Sequence, residues 1–441
     1  MADDVMGTSN LVILGGGFAG TTLARRLESR LPDNWDMTLL SQENCITYQP
    51  LLAEVVGASM LPGHVVAPIR QMLKPARFSM ATVTEIDFDR RELRYLGEDV
   101  GVLHYDQLVL ACGMTINLDV LPGMAEHALP LKTAGDGLFL RNRLLVRMEQ
   151  AEMQDNPERR GWLTTFIVIG GGFSGVEVAG ELNDFLRSGR RYYPRLKEQD
   201  SKIILLHGGE RILPELSAGL AGLALTKMHK RGIDIRLNTL VARVDDRGVE
   251  LQSGERIDGG TVIGTVGTAP TEMVQRLPLP KQRGRIETAS DMSVPGYPGV
   301  WALGDCAAVV NAHDGRLSPP TAQFATRQAE QLAGNLLRSL RGAPARPFWY
   351  KSRGQFATIG HQKAVADIFG IRLSGFLAWT LRRGVYLANF PTLARKVRLL
   401  VEWTWACLFP PDIAHLSFAR TRPPQTPGPI PDDRGGDRRG D

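Results

Sequence analysis

LVILGGGFAG (Leu11–Gly20) and FIVIGGGFSGVE (Phe166–Glu177) carry one pattern twice. The first copy sets Gly15, Gly17 and Gly20 in a Gly-x-Gly-x-x-Gly frame, and the second sets Gly170, Gly172 and Gly175 in the same frame. Each follows a short apolar, β-branched run and opens a helix-like stretch, the context that turns a short glycine motif into a strong sign of a dinucleotide site. The first glycine allows the sharp turn, the second lets a pyrophosphate approach the backbone, and the third lets helix pack on strand. The helix N-terminus then offers free N–H groups and the positive end of its dipole to the phosphates. A lone copy reads as readily as a tight turn. Two copies predict two dinucleotides held together, an arrangement that suits electron transfer between them.

Working outward, TTLARRLESRL and then MTLLS follow Gly20, and VEVAGELNDFLRSG and then KIILLH follow Gly175. Both are βαβ starts, which predict parallel sheets with right-handed crossovers. YDQLVLACG (Tyr105–Gly113) and GVWALGDCA (Gly299–Ala307) read as buried strands ending in glycine turns, and TVIGTVG (Thr261–Gly267) closes the second unit between them. The expected fold is therefore α/β, with two Rossmann-like dinucleotide-binding domains, the second inserted in the first. The first domain takes residues 1–124 and 286–348, the second 125–285. A C-terminal α+β membrane-associating module is expected over 349–421, and a disordered Pro-, Gly- and charge-rich tail over 422–441. A helix is expected to start near Thr321.

A chain of 441 residues is too long for one compact core. Hydrophobic content of 43% and charged content of 22% are those of a folded globular chain. The net charge of +5 admits nucleic acid or an anionic membrane as partner, so the placing of the charges decides. Cys45, Cys112, Cys306 and Cys407 form no C-x-x-C pair and no zinc spacing, which predicts reduced thiols and no metal site. The first residues lack the pattern of a secretory signal, and no run of 18 apolar residues predicts a transmembrane helix.

Two helices are expected near the C-terminus. In SGFLAWTLRRGVYLANF, Ser374 is a candidate N-cap, with Phe376, Leu377 and Trp379 on the apolar side. In TLARKVRLLVEWTWACLF, Leu393, Val397, Leu400, Val401 and Leu408 recur at helical spacing, interleaved with Arg395, Lys396 and Arg398, and Trp403, Trp405 and Phe409 add rings. A basic amphipathic helix with interfacial tryptophans fits a membrane surface. A basic outer face on a helix packed against the body or a dimer partner fits the same periodicity. Arg382, Arg383, Arg395, Lys396 and Arg398 form the one local basic cluster, and its apolar interleaving suits anionic lipid better than nucleic acid.

These stretches, with YQPLLAEVVGA, APIR, LKTAGDGLFLRNRLL, RILPELS, PPTAQFA and YKSRGQFATIGHQKAVAD, resemble the type II NADH:quinone oxidoreductases, single-chain flavoproteins of the membrane surface, from about Asn10 to about Leu416. The resemblance implies FAD at the first motif, held by Gly15, Gly17, Phe18, Ala19, Gly20, Ser41, Thr47, Gln49, Val83, Ala111, Gly113, Asp305, Ala322 and Gln323, with Tyr48 beside the isoalloxazine. It implies NADH or NADPH at the second, held by Gly170, Gly172, Phe173, Ser174, Gly175, Glu177, His207 and Gly267. Glu177 would approach the nicotinamide, although a first-turn acid is also favoured by the helix dipole. Gln323, Gln49 and Tyr48 would shape the quinone mouth. Arg327 stands where many relatives carry a second glutamine, and a cation there either binds a quinone oxygen or marks a different acceptor.

Ser41 and His207 occupy the positions where many dinucleotide sites have an acid for the adenosine ribose, so neither nicotinamide is favoured. A partly protonated His207, or Arg211, could accommodate a 2′-phosphate. The implied reaction passes a hydride from NAD(P)H to FAD and two electrons to a membrane quinone without proton pumping, in a peripheral homodimer on the cytoplasmic face of the cell membrane, with no nucleic acid. A soluble-acceptor reductase of ferredoxin or rubredoxin type, or a slow redox-sensing flavoprotein, would use the same two motifs. A sulfide:quinone oxidoreductase would need a redox cysteine pair, and Cys112 in ACG and Cys306 in GDCA do not read as one.

Overall fold

The computed structural model describes residues 8–73, 77–352 and 354–416, so the expected tail at 422–441 lies outside the described residues. The first glycine motif opens from strand Ser9–Leu14, whose Leu11–Leu14 run is wholly buried. That strand sits at the centre of a parallel five-stranded sheet ordered Val300–Ala302, Gln107–Leu110, Ser9–Leu14, Trp35–Ser41, Arg77–Met80. Continuous apolar runs are what a sheet covered on both faces requires. A second parallel sheet is ordered Ala128–Pro130, Thr261–Gly264, Thr165–Ile169, Lys202–Leu206, Asp234–Arg236. The chain completes this second sheet before Val300–Ala302 returns to the edge of the first, which is the expected insertion.

Each glycine motif leads into a helix, Phe18–Leu27 or Phe173–Gly189. Phe18–Leu27 packs against Ala322–Ser339, whose N-cap is Thr321 as the sequence suggested, with its hydroxyl accepting from the Phe324 N–H. Helix Ala134–Met153 begins with a capping box between Thr133 and Asp136, which fixes the preceding Lys132 at the helix mouth.

The C-terminal region is a three-stranded antiparallel sheet, Gly354–Thr358, Ala364–Ile368 and Ile371–Gly375, followed by helices Phe376–Asn389 and Leu393–Leu408. Ser374 is not the N-cap. It pairs with Val365 in the sheet, its hydroxyl accepts from Lys227 Nζ at 3.2 Å, and Gly375 at φ +80° turns the chain into the helix. The turn at Ile359–Gly360 rests on Gly180 of the second glycine helix so closely that a Cβ at Gly180 would collide with the Ile359 backbone. The C-terminal region thus docks on the nucleotide-binding body through main chain.

Candidate active site

The two glycine loops repeat one stereochemistry. Gly15 (φ +108°) and Gly170 (φ +117°) hold a backbone conformation that favours glycine. A side chain at Gly15 would strike the Ala111 carbonyl, one at Gly20 the Gly15 carbonyl, and one at Gly175 the Gly170 carbonyl. Gly17 and Gly172 instead meet nothing within 4 Å. Outer glycines locked against their own chain, and a middle one facing open space, form a cradle that a Cβ would fill. Both loops therefore fit a dinucleotide pyrophosphate.

A cavity of about 200 Å³ joins residues of the two units: Gln49, Leu52, Ala53, Met114, Ile116, Leu131, Lys132, Ser174, Glu177, Thr265, Val266, Gly267, Thr268, Asp305 and Pro320. Of the residues singled out from sequence, Gln49, Ser174, Glu177, Gly267 and Asp305 meet here. Asp305 follows Gly304 (φ +74°), whose N–H donates to Oε1 of buried Gln328 at 2.7 Å. Burial pushes the Asp305 carboxyl up, against the pull of Lys132 and Arg285. Lys132 Nζ donates to Gln49 Oε1 at 3.3 Å, and burial lowers its affinity for a proton while Asp305 opposes. Lys132 was overlooked in the sequence, although LKTAGDG places it just ahead of a capping box.

Other expected site residues stand around the cavity without lining it. Phe18, Ala19 and Phe173 form the first turns of the glycine helices, Ala111 follows strand Gln107–Leu110 with its carbonyl against Gly15, and Gly113 (φ +65°) stands two residues on. Thr47 pairs with Val66 and Val83 with Tyr95 in small antiparallel sheets. Ser41 lies against Gly16. His207 Nδ1 accepts the Gly171 N–H at 3.1 Å, so its ring buttresses the second loop. Arg211 is turned to the Pro214 carbonyl at 3.0 Å. Tyr48 packs on Phe18 and Phe390, with its hydroxyl donating to the Asn389 carbonyl at 2.7 Å. Ala322 begins its helix, and Gln323 Nε2 donates to the Tyr350 hydroxyl at 2.6 Å, a partner the sequence did not reveal. Arg327 is not a free cation: it pairs with Glu330 at 2.6 Å one helical turn away.

Behind Glu177 the fold buries a knot of charge. Arg382, with no exposed side-chain surface, reaches Glu54 at 2.8 Å and Glu177 at 3.4 Å. Arg383 lies 3.5 Å from Glu54, with its guanidinium over the rings of Trp379 and Trp403. Trp403 Nε1 donates to Glu54 at 2.8 Å. Glu177 also accepts the Thr358 N–H at 3.0 Å. Burial pushes both carboxyls up. At Glu54 the pull of Arg383 and Arg382 prevails and the carboxyl ends below the usual range, whereas Glu177 stays above it. Arg382 and Arg383 are thus core residues, not part of a basic surface, and Trp403 is not interfacial. Arg395 and Lys396 stay partly exposed while donating to the Gly63 and Ala388 carbonyls, and Arg398 is exposed, so these three keep the expected basic character.

Cys112 and Cys306, set apart in the sequence reading, are brought side by side because their strands are neighbours. The contact between them pushes the Cys112 thiol up and draws Cys306 down. Neither lines the cavity.

Residues 9–329 match the pyridine nucleotide-disulphide oxidoreductase family. The chain is 31% identical over 416 residues to a type II NADH:quinone oxidoreductase of Mycobacterium tuberculosis, covering 89% of this chain and 87% of that one. The chain belongs to the type II NADH:quinone oxidoreductases. A demethylphylloquinone reductase of Synechocystis is 32% identical, with 89% of this chain and 95% of that one covered. NDH2 of Plasmodium falciparum, solved with NADH, shares the fold at a TM-score of 0.86 and 19% identity, over 92% of this chain and all of that one. As a type II NADH:quinone oxidoreductase, the protein is an FAD-dependent enzyme that takes electrons from NADH to a quinone.

Proposed function

We propose that this enzyme works as a peripheral protein on the cytoplasmic face of the cell membrane and meets its quinone through the surface formed by its last two helices. The observation that carries this is apolar exposure. On Leu393–Leu408, the residues Leu393, Val397, Leu400, Val401, Trp405 and Leu408 are all more than half exposed and follow one stripe, while Leu399 and Trp403 face inward. Phe376, Leu377, Leu381 and Val385 extend the surface on the neighbouring helix. So much contiguous apolar surface marks an interaction site, and the geometry suits a helix pair lying in the lipid interface. Among the described residues no helix is long and apolar enough to cross a membrane. The case for lipid therefore rests on apolar area more than on basic charge.

Within the body, Gly17 and Gly172 leave backbone open for the two pyrophosphates, and Asp305 offers its carboxylate to ribityl hydroxyls. Bound FAD supplies the two-electron chemistry between donor and quinone. Glu177 faces the nicotinamide side of the cavity. Gln49, held by Lys132, and Gln323, held by Tyr350, flank the quinone side. A homodimer is part of this reading, and a single-chain mass by sedimentation in detergent would remove it.

Liposome flotation tests the surface. Val397→Glu with Val401→Glu should leave the protein in the soluble fraction with flavin reduction by NADH intact. Flotation equal to that of wild type would overturn the membrane reading. Gln323→Leu should slow quinone reduction more than flavin reduction, and equal slowing of both would remove Gln323 from the quinone side.

A further inference from the structure

We propose that a basic basin on the first nucleotide unit binds a small oligophosphate, an anion of two or three linked phosphates. The basin holds about 500 Å³, within the range of small-molecule sites. It shares no lining residue with the cavity between the two units. Its floor is one face of helix Ala322–Ser339, where Gln331, Gly334, Asn335 and Arg338 stand at i, i+3, i+4 and i+7. Arg30 joins from just past helix Phe18–Leu27, and Arg341 and Arg346 from the segment that follows the floor helix. Asn335 stands about 18 Å along the helix from Gln323, so a ligand here lies away from the quinone side.

The segment after the helix is anchored by two of the floor side chains. Asn335, with no exposed surface, accepts the Arg346 N–H at 2.9 Å and donates to the Arg346 carbonyl at 2.9 Å. Arg338 Nε donates to the Pro344 carbonyl at 2.7 Å, and the Arg338 carbonyl accepts the Arg341 and Ala343 N–H groups at 3.0 and 2.9 Å. The backbone that carries Arg341 and Arg346 is thereby fixed before any ligand arrives. Gly334 adds a second, independent sign. Glycine in a helix interior is less stable than alanine. No neighbour requires it here, since a Cβ at Gly334 would meet nothing within 4 Å. The bare backbone instead widens the floor of the basin.

Charge selects the ligand. Four guanidiniums and one carboxylate line the basin. The carboxylate, Glu330, is already held by Arg26 and by Arg327, the latter at 2.6 Å. Arg30, Arg341 and Arg346 have no side-chain hydrogen bond or ion pair among the described residues. The helix dipole accounts for cations at Arg338 and Arg341, near the C-terminal end, but Arg30 and Arg346 come from other segments. A planar guanidinium donates two parallel N–H bonds to a phosphate, and several of them together match the clustered charge of linked phosphates. A single phosphate engages too few of them to offset their mutual repulsion.

The test titrates full-length, FAD-loaded protein with inorganic tripolyphosphate, ATP and inorganic phosphate in magnesium-free buffer. Tripolyphosphate should bind once per chain, unaffected by saturating NAD⁺ and weakened by added salt. Arg30→Met and Arg341→Met, whose side chains hold nothing else, should each raise its Kd about tenfold with flavin reduction by NADH unchanged. Gly334→Leu should obstruct the basin and weaken binding by as much, with a melting temperature no lower than that of wild type, because leucine is the better helix former. ATP binding tighter than tripolyphosphate assigns the site to nucleotides, and equal or weaker ATP binding assigns it to the phosphate chain alone. Inorganic phosphate binding as tightly as tripolyphosphate would overturn the oligophosphate assignment. Absence of binding, a Kd indifferent to all three substitutions, or binding abolished by NAD⁺, which would put the titrant on the glycine loops, would overturn the site itself.

Discussion

Replacing Arg382 by Met keeps most of the side-chain volume and removes the one cation shared by Glu54 and Glu177. At an effective dielectric constant near 20, unit charges at the observed 2.8 and 3.4 Å attract by about 6 and about 5 kcal/mol. Desolvating the guanidinium offsets several of these, so the pairs add little net stability. The variant is different, because it deletes the cation and leaves the anions buried, which costs about 3–5 kcal/mol. Glu54 keeps Arg383 at 3.5 Å and the Trp403 N–H, while Glu177 keeps only the Thr358 N–H. Most of the loss therefore falls on Glu177, and the lower end, about 3 kcal/mol, is expected. Thermal unfolding followed by flavin fluorescence should show a clear fall in midpoint, and adding Glu177→Gln to Arg382→Met should recover part of it. A single variant that melts with the wild type, or a double variant no better than the single, would refute the reasoning.

Gly172→Ala should fold normally, since its φ of −76° suits alanine and nothing lies within 4 Å, yet raise the Kd for NADH about tenfold with FAD retained; Gly175→Ala, which drives a methyl into the Gly170 carbonyl, should lose stability instead. Equilibrium titration of both variants checks this pair. The folded-state carboxyl of Glu181 is raised, so its contribution to stability is complete below the ordinary carboxylate pKa of about 4.3 and is lost as pH rises through the raised value. Denaturation midpoints of Glu181→Gln should accordingly decline less than those of wild type from mildly acidic to alkaline pH. Trp403→Ala should cost about 3–5 kcal/mol by opening the core and orphaning Glu54, whereas Trp405→Ala should barely change melting and weaken liposome binding.

The two nucleotide sites were legible because their signals are local. An apolar β-branched run, a glycine turn and a helix start lie within a dozen residues, and the glycine-ended strands Tyr105–Gly113 and Gly299–Ala307 on either side of the second unit implied the insertion. What escaped depends on distant partners. Leu-Arg-Arg inside an amphipathic helix reads as surface charge, and only Glu54, 328 residues earlier, makes Arg382 an interior residue. Trp403 joined the same interior through the same carboxylate, 349 residues away. Two arginines in an otherwise apolar helix were the available signal, since such groups enter a core only when paired. Ser374 misled for a related reason: a polar residue ahead of an apolar run suggests a cap, but strand pairing with Val365 claimed it first.

Glu54 belongs to the first nucleotide unit, Glu177 to the second, and Arg382 and Trp403 to the last two helices. Those helices are therefore no detachable appendage for the protein engineer. Cutting the chain ahead of them, the direct way to remove the exposed apolar stripe, would open an acidic hollow beside the cavity and strip away the wall it leans on. The apolar stripe is better changed by resurfacing, with Leu393, Val397, Val401 and Trp405 exchanged for polar residues while the inward face of the same helix is left untouched.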